Sequence, residues 1–326
     1  MFKSPTIKIA LGAGVITIGA LAVSMHLNGR KKKRTKIIEM MDEFQKAHVH
    51  MADPDRVEEL VTQLIKGGKS KLQVITDFDR TLSRTLYNGH EVPTCHGVLD
   101  DSSLLPEHYR EQANQLRNTY LPLEMSTDVP IEEKRHLMVE WWTKGHELLV
   151  NSGIKQSDIQ KAVEKAGVYL REGSNDMIEL LHRHAVPLLV FSAGIGDILI
   201  EAIKLQSHFY EDNMHCVSNC MEFNEEGRLT GFKGELIHSF NKHEVSTHQP
   251  EYFERNKHRT NVILMGDTLG DLRMADGLPD TQHLLTIGFL NSNVEKSLEA
   301  YKAQYDIVLV LDETMDLANA LLNKIL

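Results

Sequence analysis

Val74-Ile75-Thr76-Asp77-Phe78-Asp79-Arg80-Thr81-Leu82 is the stretch that decides how this chain is read. Leu72 to Thr76 is apolar and β-branched, the composition of a buried strand. It ends in two carboxylates separated by one residue, and then a threonine. Open α/β sheets bind ligands at the carboxyl ends of their strands, so Asp77 and Asp79 are expected to face one cleft. Carboxylates that close repel unless one is protonated or a cation lies between them. Oxygen-only ligands favour a hard cation, and Mg²⁺ is the expected one. Taken alone, the segment also reads as an acidic strand-to-turn connection, because Asp is a common turn former.

Two further segments share this form. Val186-Pro187-Leu188-Leu189-Val190-Phe191-Ser192 is an apolar run ending in a hydroxyl. Ala193-Gly194-Ile195-Gly196 after it reads as a small-residue turn into a helix, whose N–H groups can hold phosphate oxygens. Asn261 to Met265 is a third apolar strand, and Gly266-Asp267-Thr268-Leu269-Gly270-Asp271 puts two more carboxylates at its end. Lys242 lies between these two segments. Asp, Ser, Lys and G-D-x-x-x-D in that order resemble the four motifs of the haloacid-dehalogenase-like phosphatases.

The resemblance narrows at Thr81-Leu82-Ser83-Arg84, Pro93-Thr94-Cys95-His96, Met138 to Lys144, Phe191 to Asp197, Gly231 to His238 and Leu272 to Gly277. These are similar to the eukaryotic cytosolic 5′-nucleotidase III family, which includes a pyrimidine-specific and a 7-methylguanosine-phosphate-specific enzyme. The similarity runs from about Met41 to Leu326.

That resemblance implies an α/β fold, a Rossmann-like parallel-sheet core with an inserted helical cap. It implies Mg²⁺-dependent hydrolysis of nucleoside 5′-monophosphates (CMP, UMP or 7-methyl-GMP) to nucleoside and phosphate. Asp77 would form an aspartyl-phosphate, and Asp79 would serve as acid and then base. Mg²⁺ would be held by Asp77, Asp79 through its backbone carbonyl, and Asp267, with Asp271 steadying the metal site. Lys242, the Ser192 hydroxyl and backbone donors around Ala193 would balance phosphate charge. Glu124 matches the family's base-contacting glutamate. Gly145 stands where the pyrimidine-specific branch has serine, and the other branch shares a tryptophan at Trp142. Trp142 is therefore expected to stack on the base. Arg80 departs from the usual methionine.

Trp141 and Trp142 point about 100° apart on a helix, so one is expected in the core and the other at a cleft. Phosphoserine or another small phosphomonoester is an alternative substrate. A non-catalytic, membrane-anchored interaction protein is a third reading, opposed by the intact Asp77, Asp79, Lys242, Asp267 and Asp271.

Composition fits a packed globular body, with 41% hydrophobic and 25% charged residues. The net charge of −10 hides an asymmetry: residues 1–36 carry eight Lys/Arg and no acid, leaving 28 basic and 46 acidic residues in the rest. So acidic a body argues against a nucleic-acid polymer as partner. Three cysteines are too few for a disulfide framework, and Cys216-x₃-Cys220 lacks a second pair at zinc spacing.

Ile9 to Met25 is 17 residues without a charge, about 26 Å as a helix, and Arg30-Lys31-Lys32-Lys33-Arg34 follows. Charge after the apolar run predicts an uncleaved transmembrane helix with a cytoplasm-facing body, in the endoplasmic reticulum or mitochondrial outer membrane. A monomer is expected, soluble and cytoplasmic if that N-terminus is absent. The domain division is thus 1–34 as anchor and basic flank, 35–84 and 169–326 as core, and 85–168 as a cap that sets base specificity. Residues 35–68 read as two helices, the second opened by Asp53-Pro54 and closed by Gly67-Gly68. Pro130 opens a helix to about Val150, and strands are expected near 186–191, 261–265, 283–289 and 306–311. A hairpin off the core is expected over 223–232.

Overall fold

The computed structural model describes residues 1, 35–126, 128–247, 250–278 and 280–326. Leu72–Thr76 is buried at every position, as its unbroken apolar sequence demands, and it sits in the interior of the main sheet. In chain order the strands are β1 (Val49–His50), β2 (Leu72–Thr76), β3 (Leu86–Tyr87), β4 (His90–Glu91), β5 (Leu188–Ile195), β6 (Met214–Phe223), β7 (Leu229–Lys233), β8 (Asn261–Gly266), β9 (His283–Leu290) and β10 (Ile307–Val310). The main sheet runs β1-β10-β9-β8-β2-β5-β6-β7, and β3 pairs with β4 apart from it.

From β10 to β6 every neighbour is parallel, but β1 joins β10 and β7 joins β6 antiparallel. The sheet is therefore mixed, a correction to the expectation of a parallel sheet. Its two edges come from a short N-terminal segment and from a hairpin that extends β6 instead of standing off the core.

Side chains alternate across β2. Leu72 and Val74 enter one core with Val57, Ile178, Ile198 and Leu321 from four helices. Ile75 enters the opposite core with Val245, Phe253 and Met274.

The helix Pro54–Gly67 forms as its sequence predicts: Asp53 accepts from the N–H groups of Asp55 and Arg56, Pro54 takes the first position, and Gly68 follows with φ 59°. The helix expected before it is absent. Ile38–Met40 and Asp42–Gln45 are 3₁₀ turns, and Ile38, Met41 and Phe44 reach the core at a spacing of three, the 3₁₀ period.

Between β2 and β5 the chain leaves the sheet for the helices Cys95–Asp100, Glu107–Met125, Ile131–Asn151 and Gln156–Ala166. Glu107–Met125 and Ile131–Asn151 pack on each other, with Tyr120 and Trp141 stacked at 5.8 Å between ring centres. These helices lie over the carboxyl ends of the central strands and close one side of a cavity.

The expected transmembrane helix over 9–25 lies outside the described residues. Among the described residues no helix is long and apolar enough to cross a membrane. The fold is corrected accordingly to an α/β core with inserted helices, with no described element to carry the expected membrane contact or anchored placement.

Candidate active site

β2, β5 and β8 are adjacent and parallel, so their carboxyl ends meet on one edge of the sheet. Asp77 leaves β2, Ser192 lies near the end of β5, and Asp267 follows Gly266 at the end of β8. Lys242 reaches them from the first position of the helix Lys242–Thr247. Its Nζ donates to Asp77 Oδ1 at 2.6 Å, to Asp271 Oδ1 at 2.7 Å and to the Phe191 carbonyl at 3.2 Å. Asp271 Oδ2 accepts from the N–H groups of Asp267 and Thr268 and from the Thr268 hydroxyl, at 3.1, 2.8 and 2.9 Å. Gly266 has to be glycine here: a Cβ would stand 2.4 Å from that of Asp271.

Charge in this cluster is unbalanced. Asp77, Asp267 and Asp271 bring carboxylate oxygens within 4.8 Å of one another around one ammonium. Burial pushes the Asp77 and Asp267 carboxyls above their usual range, and repulsion from Asp271 adds to it. Burial also opposes the charge on Lys242, but Asp271 and Asp77 more than compensate and hold its pKa above normal. An all-oxygen set with surplus negative charge fits a hard divalent cation such as Mg²⁺.

Asp79 stands apart from that trio. Its Oδ1 accepts from the Cys95 N–H at 2.9 Å, at the start of the first inserted helix. Burial raises its pKa, and the Cys95 N–H opposes the rise. Gly194 lies beside it, where a Cβ would be 2.8 Å from Asp79 Oδ2. The Ser192 hydroxyl accepts from the Gly194 N–H at 2.9 Å.

A cavity of about 760 Å³ opens above this floor. Every residue singled out from the sequence lines it: Asp77, Asp79, Glu124, Trp142, Gly145, Ser192, Ala193, Lys242, Asp267 and Asp271. Glu124 projects from the helix Glu107–Met125 and accepts from the Ser239 hydroxyl, and burial raises its pKa. Trp142 projects from Ile131–Asn151 and donates from Nε1 to the Ala193 carbonyl at 3.1 Å. Its ring meets that of His96 edge-on at 5.6 Å. Trp141 lines the same cavity, so the expected division into one core and one cleft tryptophan is not seen. The two indoles meet at 5.0 Å and 76°, and both line the cavity. Gly145 faces open space, with nothing within 4 Å of where a Cβ would stand.

Sequence reasoning missed several groups that shape this cavity. Ser239 binds Glu124. Asn219, 2% exposed, donates to the carbonyls of Ala193 and Ile237, each at 2.8 Å, and accepts from the Ile237 N–H at 3.0 Å. It thereby ties the irregular carboxyl-terminal half of β5, where the register shifts after Phe191, to the segment leading to Lys242. An asparagine inside the strand-like run Met214 to Met221 was the available signal. Tyr301 donates to the Asp267 carbonyl at 2.6 Å and had no such signal.

The sequence profile of pyrimidine 5′-nucleotidase (UMPH-1) matches residues 80–326. A 7-methylguanosine phosphate-specific 5′-nucleotidase of Homo sapiens is 46% identical over 288 residues, 88% of this chain and 96% of that protein. A putative cytosolic 5′-nucleotidase 3 of Caenorhabditis elegans is 33% identical over 300 residues, covering 90% of this chain and 80% of that one. Among solved structures, cytosolic 5′-nucleotidase IIIB bound to cytidine superposes with a TM-score of 0.84 at 34% identity, over 90% of this chain and 98% of that one.

Proposed function

The chain belongs to the pyrimidine 5′-nucleotidase (UMPH-1) family, and on that premise we propose that it removes the 5′-phosphate from nucleoside monophosphates, with 7-methyl-GMP and CMP as its better substrates. One observation carries this reading: a single cavity has carboxylates and an ammonium on its floor and Glu124 with Trp142 on its wall.

In the first step an Asp77 oxygen attacks phosphorus while the bond to the 5′-oxygen breaks, and Asp79 gives its proton to that oxygen. Burial favours the protonated form of Asp79, which suits a donor. In the second step water attacks the aspartyl-phosphate, Asp79 takes the water's proton, and the bond from phosphorus to Asp77 breaks. Lys242 and the Ser192 hydroxyl neutralise charge on the transferring group. Mg²⁺ held by Asp77, Asp267 and the Asp79 carbonyl supplies further neutralisation when bound. Asp271 fixes Lys242 and the Thr268 turn beside it.

On the wall, Trp142 stacks on the base and Glu124 accepts from its Watson–Crick edge, so the inserted helices set base choice. Methylation at N7 makes guanine cationic, and a cation over an indole gains roughly 0.5–2 kcal/mol. Cytosine offers its amino group to Glu124. GMP and AMP have neither advantage in full. The name of the Caenorhabditis elegans relative carries a cytosolic setting, which we extend to this chain.

Phosphate release by the purified chain with Mg²⁺, measured on CMP, UMP, AMP, GMP, 7-methyl-GMP and phosphoserine, tests the reading. Release from 7-methyl-GMP and CMP well above GMP and AMP is expected. Equal release from all nucleotides would overturn the base assignment, and release from phosphoserine alone would overturn the function.

A further inference from the structure

A buried guanidinium lies against the turn that carries Asp79, and the reaction above does not use it. Arg171 is 1% exposed, at the point where the chain returns from the inserted helices to the core. Its Nε donates to the Thr81 carbonyl at 2.7 Å, and its Nη2 donates to the Arg80 carbonyl at 2.6 Å and to Asn291 Oδ1 at 2.9 Å. Nη1 donates to the Asp312 carbonyl. The Arg171 backbone N–H donates to the Leu82 carbonyl at 2.9 Å. Asn291 Nδ2 adds a second donor to the Arg80 carbonyl, also at 2.9 Å. The guanidinium carbon lies over the Phe289 ring, 4.3 Å from its centre.

Three successive carbonyls of one turn, those of residues 80, 81 and 82, are thus held by a single residue. The turn needs holding. Arg80 has φ +61°, in the left-handed region that side chains rarely adopt. Such a conformation persists only where its surroundings over-determine it. Asp79 is the residue immediately before it, so the direction of its side chain follows from how that peptide is fixed. An ordinary buried ion pair would look different. The carboxylate within reach of Arg171 is Glu313, at 3.4 Å and partly exposed, and the shorter bonds go to neutral carbonyls and an amide. Lysine, a point charge without the planar fork, cannot span the same acceptors.

We infer that Arg171, assisted by Asn291, is the positioning residue for Asp79, keeping its carboxyl aimed at the 5′-oxygen in the first step and at water in the second. The inference rests on the reading of Asp79 as proton donor and base.

A leaving group that needs no proton separates positioning from general structure. In the analogue of the best nucleotide with sulfur bridging C5′ and phosphorus, a thiolate departs without protonation. Single-turnover release of the nucleoside, or of its 5′-thiol from the analogue, with enzyme in excess reports the first step for each substrate. Arg171→Lys is expected to slow the oxygen substrate roughly 10²-fold, the usual scale of general acid catalysis. The thio analogue should stay within about threefold of wild type, with KM little changed. Asn291→Ala should show the same split at roughly tenfold, and it carries the test if Arg171→Lys fails to fold. Asp79→Asn is the reference. If Asp79→Asn slows both substrates alike, the role given to Asp79 falls. If Asp79→Asn shows the split while Arg171→Lys and Asn291→Ala slow both substrates alike, Arg171 is structural only and the inference is overturned.

Discussion

The floor of the cavity and its wall are held together in opposite ways. On the floor, Asp77 and Asp267 leave neighbouring parallel strands, whose spacing is fixed at about 4.8 Å by the hydrogen-bonded sheet. Lys242 spends its donors on two carboxylates and a carbonyl. Each group there is placed by several others. On the wall, the side chains of Glu124 and Trp142 come from two different helices, and each makes one hydrogen bond to the core. A floor built this way tolerates no substitution without a large loss. A wall built this way can change its preference while the fold stays as it is.

Asp77→Asn gives the largest expected effect. Shape is kept and the nucleophile is lost, so turnover should fall on the order of 10³-fold or more for CMP and 7-methyl-GMP alike. Tens of per cent of wild-type rate would break the assignment of the floor. Lys242→Met comes next. Loss of the ammonium between Asp77 and Asp271 should lower kcat roughly 10²–10³-fold, the scale of removing a fixed electrostatic group. It should also leave buried carboxylates uncompensated, so the melting temperature of the variant should depend on Mg²⁺ more steeply than that of wild type. Equal melting temperatures in Mg²⁺ and in chelator would contradict the charge balance described for the floor.

The wall should answer with smaller, substrate-dependent changes. Trp142→Ala is expected to reduce kcat/KM for 7-methyl-GMP by roughly 2–30-fold beyond any loss for CMP, the equivalent of 0.5–2 kcal/mol of cation–π attraction. Equal losses with a lowered melting temperature would make the indole a packing residue. Gly145→Ser adds a hydroxyl into open space, so its melting temperature should stay within a degree or two of wild type, as expected for a change of about 0.5 kcal/mol or less. Preference should shift a few-fold toward CMP, about the worth of one hydrogen bond. Steady-state kinetics with both nucleotides decide it.

A separate effect, on stability and not on turnover, concerns His96, which lines the cavity, and His146 stacked near it. Burial lowers the pKa of His96 to about 4 and of His146 to about 3, and His146 stacks on Phe232 at 3.7 Å. Both are neutral in the fold and gain a proton on unfolding below pH 6.5. Their contribution to stability is therefore complete above pH 6.5 and is lost as pH falls toward 4, by about 1 kcal/mol per pH unit for each. His146→Gln should flatten the fall of melting temperature between pH 6.5 and 4. An unchanged slope would mean His146 already carries its charge in the fold.

Legibility in the sequence divides along the same line as the molecule. Asp77, Ser192, Asp267 and Asp271 stand at or just past the ends of apolar runs, so strand periodicity locates them, and Lys242 is located by its order among the motifs of the resembled family. All of them come together on one cavity. Ser239, Asn219 and Arg171 act through backbone carbonyls or a single side chain far away in sequence, and no local pattern marks such partners. At the N-terminal edge, the spacing of Ile38, Met41 and Phe44 fits both a helix and 3₁₀ turns, and the chain takes the 3₁₀ form before Val49 pairs with Leu309 as a short edge strand. Helical geometry sets Trp141 and Trp142 about 100° apart, but the cavity is broad enough to be lined by both.

One acceptor joins the two halves of the cavity. The Ala193 carbonyl takes a hydrogen bond from Trp142 on the inserted helices and another from Asn219 within the sheet. A base stacked on the indole therefore bears on the same peptide that shapes the carboxyl end of β5. Discrimination between bases should then register in how fast a bound nucleotide reacts as well as in how tightly it is held.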